Sequence, residues 1–172
     1  MTDEPTSQKS TEEENRTLRN YIPLMVIVTL SALAGAARQA SGAGTPTGWM
    51  HDFMGVFLVM FSMFKFFNLP GFADGFEMYD LLAKRVRAYA YLYPFLELGL
   101  GLAYLARFQL TGVYVFTIAL MLFGAAGVLI ALKNNLKINC PCMGTVLDVP
   151  LSTVTLTEDL GMAAMAALML TL

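Results

Sequence analysis

The sequence predicts an all-α integral membrane bundle, a DoxX-like four-helix core with one further helix on its N-terminal side, and three observations carry that expectation. Hydrophobic residues fill 56% of the 172 positions and charged residues 14%, with a mean hydropathy of +0.58; a soluble domain is nearer ~45–50% apolar and ~25% charged. Of the 11 Lys/Arg and 13 Asp/Glu, eight lie among the first nineteen residues (Asp3, Glu4, Lys9, Glu12, Glu13, Glu14, Arg16, Arg19), so the rest of the chain is too thinly charged to coat a water-soluble globule. The apolar residues fall in five runs of helical length, and about 20 residues rising about 1.5 Å each cross a hydrocarbon core of roughly 30 Å. A pI near 5.3 and a net charge of −2 supply no basic footprint, which argues against a nucleic-acid partner and leaves the lipid bilayer as the expected surroundings.

Residues 1–19 are acidic and rich in Ser, Thr and Glu, the opposite of the basic start of a signal peptide. Such a composition buries too little apolar area to offset its ordering entropy, so it reads as a disordered cytoplasmic tail ahead of a bundle over 20–172. The first span covers about 21–37 and stops at Arg38 and the turn-rich stretch SGAGTPTG. The second, about 49–69, stops at Pro70-Gly71, residues that end helices. The stretch 71–87 is too polar to span. Phe72, Phe76, Tyr79, Leu82 and Ala83 recur there at three- and four-residue spacing, with Asp74, Glu77, Asp80, Lys84 and Arg87 between them, which reads as an interfacial amphipathic helix. Asp80 and Lys84 are placed as a favourable i,i+4 pair. Three more spans follow at about 88–106, 110–132 and 154–172. The last opens with Thr155, Thr157, Glu158 and Asp159 in the pattern of a capping box, with its acids in the first turn where the helix dipole favours them.

Lys and Arg on alternate sides set the expected orientation. Lys9, Arg16, Arg19, Lys65, Lys84, Arg85, Arg87, Lys133 and Lys137 fall on one side, and Arg38 and Arg107 on the other. Cationic residues are retained on the cytoplasmic face, so the N-terminus is expected in the cytoplasm of a bacterial inner membrane.

Both cysteines sit in one tripeptide, Cys140-Pro141-Cys142, beyond the fourth span. Proline fixes φ and holds the two sulfurs close together. Three readings stay open: paired thiolates for a soft metal such as Cu(I), helped by Met143; thiol–disulfide exchange by a strained, easily reduced bridge; or two inert thiols in a turn. A cytoplasmic position argues against a resting structural disulfide. The 12 methionines include Met162, Met165 and Met169 at i, i+3, i+7, and Met50, Met54, Met60 and Met63 on the second span; they read as gap-fillers in an apolar core before they read as thioether ligands. His51, beside Asp52 at a helix end, reads as a solvated interfacial residue.

Glu97 lies about nine residues into the third span, and an ionisable group at such depth faces a partner or a cavity. Lys65 falls within roughly one turn of the same depth, so the two are expected to pair inside the bundle, either as a structural salt bridge or in a transport or proton-relay role. Ser31-x-x-x-Gly35 and Gly124-x-x-Gly127 would permit close helix packing or a homodimer. No nucleotide loop, serine triad, metalloprotease helix or haem attachment motif occurs.

Taken together, Met54-Gly55-Val56-Phe57, Phe64-Lys65, Leu69-Pro70-Gly71-Phe72-Ala73, Tyr79-Asp80-Leu81-Leu82-Ala83, Tyr93-Pro94-Phe95-Leu96-Glu97 and Cys140-Pro141-Cys142-Met143-Gly144 resemble the MauE/DoxX-like redox-associated membrane proteins of bacteria. The likeness spans roughly residues 50–170. It implies a bundle of four or more membrane helices and an accessory role in maturing, or supplying electrons to, another protein. In the methylamine-utilisation representatives that protein is a disulfide-rich dehydrogenase subunit and the helper a thioredoxin-like partner. It also implies that Cys140 and Cys142 are redox-active. Soft-metal binding or transport, with copper or mercury as cargo, and a non-catalytic membrane scaffold are the alternatives.

Overall fold

The computed structural model describes residues 6–43, 45–134 and 151–172, with side chains from Ile22 onward in the first helix and from Thr155 onward in the last. The described residues form six α-helices and no strand: α1 (Thr6–Arg38), α2 (Pro46–Phe67), α3 (Leu69–Glu77), α4 (Arg87–Ala106), α5 (Leu110–Lys133) and α6 (Leu151–Thr171). A short π-helical turn, Gln39–Ala43, with Gly42 at φ 80°, closes α1. Helix α1 starts at Thr6, inside the stretch read from composition as a disordered tail. Glu, Gln, Lys and Arg are poor at forming a core but good at propagating a helix, and this run leads directly into an apolar one.

Local chemistry sets the helix ends. The Thr45 hydroxyl accepts from Gly48 N at 3.0 Å and Pro46 opens α2, a position where a missing N–H costs nothing. Asn68 Oδ1 accepts from Gly71 N at 3.1 Å at the start of α3, where Pro70 again sits in the first turn. Arg107 and Gln109 take left-handed backbone (φ 53° and 47°), so α4 reverses into α5 within three residues.

The most extensive helix contacts are α5 with α6, α2 with α4, and α1 with α2. Helices α2 and α4 cross where Gly55 and Gly101 meet. A Cβ on either glycine would come 3.0 Å from the other's carbonyl oxygen. The small residues of the two spacing motifs are likewise used within the chain. A Cβ on Gly35 would strike the Trp49 ring at 2.7 Å, one on Gly124 would come 2.9 Å from Asp159 Oδ2, and one on Gly127 3.0 Å from Tyr79 O. Close packing inside the bundle therefore uses the glycines of both motifs.

The packing inverts that of a soluble protein. Phe95, Leu102, Val115, Leu122, Leu129 and Leu168 face outward, while Lys65, Glu97, Thr117 and Asp159 are buried. Apolar side chains outside, with the few ionisable groups turned inward into an otherwise apolar core, are the arrangement a lipid solvent selects. Helices α2 and α5 are each long and apolar enough to cross a membrane, and Ile22–Arg38 is a shorter apolar segment. Helices α4 and α6 have the length, at 20 and 21 residues, and spend part of their composition on the buried polar groups.

Helix α3 ends at Glu77, so the amphipathic stretch expected over 71–87 is helical only in its first part. The break has a local cause: Asp80 Oδ1 accepts from Leu82 N at 2.9 Å and Ala83 N at 2.8 Å, an Asx-type turn that competes with helix continuation. The apolar side of this stretch faces the protein. Phe72, Ala73, Phe76, Tyr79 and Ala83 are all buried in the core.

Candidate functional site: two polar clusters in an apolar bundle

The first cluster lies where α2, α3, α4 and α6 converge. Lys65 shares the inner face of α2 with Met54, Leu58 and Phe61, at the i, i+4, i+7 and i+11 positions that line one side of a helix. Its Nζ donates to Glu97 Oε2 at 2.5 Å, and both side chains are almost wholly buried (3% and 1% exposed). The ammonium also stands over three rings, Phe61 at 5.6 Å, Phe72 at 5.4 Å and Tyr93 at 5.0 Å. Ring faces carry negative quadrupole potential, so this cage stabilises a cation that water no longer reaches.

Asp159 completes the cluster from α6. As α6 begins at Leu151, Asp159 lies two turns inside the helix and not in its first turn. It is 4% exposed, shares the inner face with Thr155, Met162 and Met169, and is not the solvated capping acid that the sequence pattern implies. With Lys65, Phe72, Phe76, Tyr79, Tyr93, Gly124, Thr155 and Glu158 it lines a cavity of ≈ 10 Å³, enough for about one water molecule. The signal that could have placed Asp159 is the methionine stripe. Extending Met162 and Met169 back by three residues puts Asp159 on the same buried face.

The second cluster closes the opposite end of the bundle. Asp52 is nearly buried and takes Arg38 Nη1 at 3.2 Å and Arg107 Nη2 at 3.5 Å, which ties the ends of α1 and α4 to the start of α2. His51 is buried as well (5% exposed), against the expectation of a solvated ring. Its Nδ1 lies 2.6 Å from Thr47 O, which can only accept, so Nδ1 carries the proton and Nε2 accepts from the Tyr114 hydroxyl. Alongside, the Tyr104 hydroxyl donates to Thr117 Oγ1 at 3.1 Å. A buried imidazole and three buried hydroxyls in a chain of hydrogen bonds and ring contacts stitch α2, α4 and α5 together.

Of the residues singled out from the sequence, Lys65 and Glu97 meet directly. Met162 and Met169 are packed in the core and Met165 lies against it, a filling role that does not call on their sulfurs. Cys140, Cys142 and Met143 lie outside the described residues, in the connection between α5 and α6. Among the described residues no three His, Cys, Asp or Glu side chains are grouped to hold a metal ion.

Residues 44–172, most of the chain, match the family described as methylamine utilisation protein MauE. No curated protein and no solved structure matches the chain.

Proposed function

Since the chain belongs to the methylamine utilisation protein MauE family, we propose that it is a membrane accessory protein of methylamine utilisation that exchanges thiols and disulfides with a thioredoxin-like partner through Cys140 and Cys142. The observation that carries this reading is the placement of the cysteine pair. Both thiols of the chain lie in the one connection that joins α5 to α6, the most extensively packed pair of helices. Helix α6 is in turn fixed by Asp159 and Thr155 in the buried cluster around Lys65. Two thiols one residue apart in the sequence are the pair that thiol–disulfide exchange needs.

In the exchange, one thiolate attacks a sulfur of the partner's disulfide and forms a mixed disulfide. The second thiolate then displaces the partner's sulfur, leaving a Cys140–Cys142 bridge. Two electrons and two protons pass to the partner, which leaves as a dithiol; the reverse sequence reduces Cys140–Cys142. By the distribution of Lys and Arg the cysteine loop faces the cytoplasm of the bacterial inner membrane, where the dithiol is the resting form.

Trapping tests the reading. A thioredoxin-like partner lacking its resolving cysteine should form a disulfide-linked adduct with the wild-type chain and none with the Cys140→Ser, Cys142→Ser double variant. No adduct from the wild-type chain under oxidising conditions contradicts it.

A further inference from the structure

The cluster around Lys65 holds one ammonium against two buried carboxylates. Glu97 Oε2 is bonded to Lys65 Nζ. Glu97 Oε1 and Asp159 Oδ2 are each buried with no hydrogen-bond partner. Asp159, unlike Glu97, is not within bonding distance of Lys65 Nζ, and its Oδ2 points towards Gly124, where an added Cβ would come within 2.9 Å of it. Among the described residues, the other titratable groups around the cavity offer no second cation. Helix α4 presents Glu97 and Tyr93, the α3–α4 connection presents Tyr79 and, just behind it, Asp80, and α6 itself presents Glu158. Helix α5 presents only Gly124 there. Among the described residues, Lys65 is the only cationic side chain lining the cavity.

A second ionised carboxylate in such surroundings has at most one water and must share the single Lys65 charge with Glu97, a state that burial opposes. The remedy must be small, because the cavity takes about one water and no hydrated ion. We propose that this cavity is a proton-binding site, with Asp159 as the group that carries the proton and the Lys65–Glu97 pair as its fixed counterpart. The proton forms an O–H bond at the Asp159 carboxylate and is returned as H⁺ to water; no other bond changes and no electrons move. It travels by way of a single water in the cavity and Glu158, which lines the cavity one residue before Asp159. Gly124 keeps the space that the neutral acid and its water need, since any side chain there meets Oδ2. The site stands independently of the cysteines.

Infrared difference spectroscopy on the full chain in lipid nanodiscs, with deuterium exchange, tests this. At neutral pH the wild type and the Cys140→Ser, Cys142→Ser double variant should both show the carbonyl stretch of a protonated carboxylic acid, shifted by deuterium. The band should vanish in Asp159→Asn and persist in Asp80→Asn. If Asp159→Asn does not assemble, the Asp80→Asn variant grown on aspartate labelled with heavy carbon in its side-chain carboxyl keeps the test: the band should persist, move with that label and stay put with labelled glutamate. Absence of the band at neutral pH, its persistence in Asp159→Asn, or its response to the glutamate label alone would overturn the proposal. Because the double-cysteine variant is included, this outcome is separate from any failure of the thiol reading.

Discussion

At Lys65 an ammonium sits in a cage of three rings with a carboxylate 2.5 Å away, out of reach of water. The attraction of such a pair is largely offset by the desolvation of its members, whereas removing one member leaves a bare buried charge that costs about 3–5 kcal/mol. Lys65→Met and Glu97→Leu should each destabilise the bundle by about that amount, and the double variant by clearly less than the sum. Denaturant unfolding in detergent measures the cycle. Additive losses would show that the two do not act as a unit. Asp80, in the connection outside the spans, gives a second prediction at this scale. Burial pushes its carboxyl above the ordinary range, and the N–H groups of Ala83 and Leu82 only partly offset that. A raised folded-state value means that the native state binds the proton more tightly than the unfolded chain. The Asp80 contribution to stability is therefore full in acid and lost as pH rises through the raised value. Thermal unfolding followed from mild acid to neutrality should show that slope in wild type and lose it in Asp80→Asn. The depth of Lys65 and Glu97 along their helices was readable from the sequence, because an ionisable group in an apolar run has few places to go. Asp159 and His51 were not. Each stands near a plausible helix end; the start of α6 at Leu151 and the approach of Tyr114 to His51 put both inside, and for Asp159 the methionine stripe was the one pointer in the sequence.

Helix pairs depend on where backbones touch. At the α2–α4 crossing, a Cβ on Gly101 would lie 2.9 Å from Val59 N and 3.0 Å from Gly55 O, both main-chain atoms that cannot rotate away. Gly101→Val should therefore cost about 1–3 kcal/mol by overpacking. Gly99→Val, whose Cβ would meet nothing within 4 Å, should cost much less; melting temperatures of the two variants compare them. Periodicity located α2, α4 and α5 to within a few residues, since long apolar runs bounded by proline, glycine and charge have one reading. It did not locate the end of α3. The three- and four-residue spacing continues past Glu77, while the chain stops being helical because the Asp80 side chain takes two backbone donors. Such competition between side chain and helix leaves no mark in a hydrophobic pattern.

For the whole molecule, an apolar exterior surrounds two polar clusters at opposite ends, and the α5–α6 pair carries the cysteine loop at the end nearer Lys65. The all-helical architecture followed from low charge together with apolar runs of helical length. The use of the Gly124-x-x-Gly127 spacing did not follow: the same small residues serve a dimer or an internal contact, and the Asp159 side chain and the Tyr79 main chain approach these two glycines within the chain. The central claim, that Cys140 and Cys142 exchange electrons, is met most directly by purifying the full chain anaerobically. Free thiols are then counted with and without reductant, and bound metal is measured on the same sample. Two thiols per chain that close reversibly into a disulfide, with no stoichiometric metal, are the predicted result. Metal near one per chain that is lost on Cys142→Ser would contradict it and assign the pair to soft-metal handling.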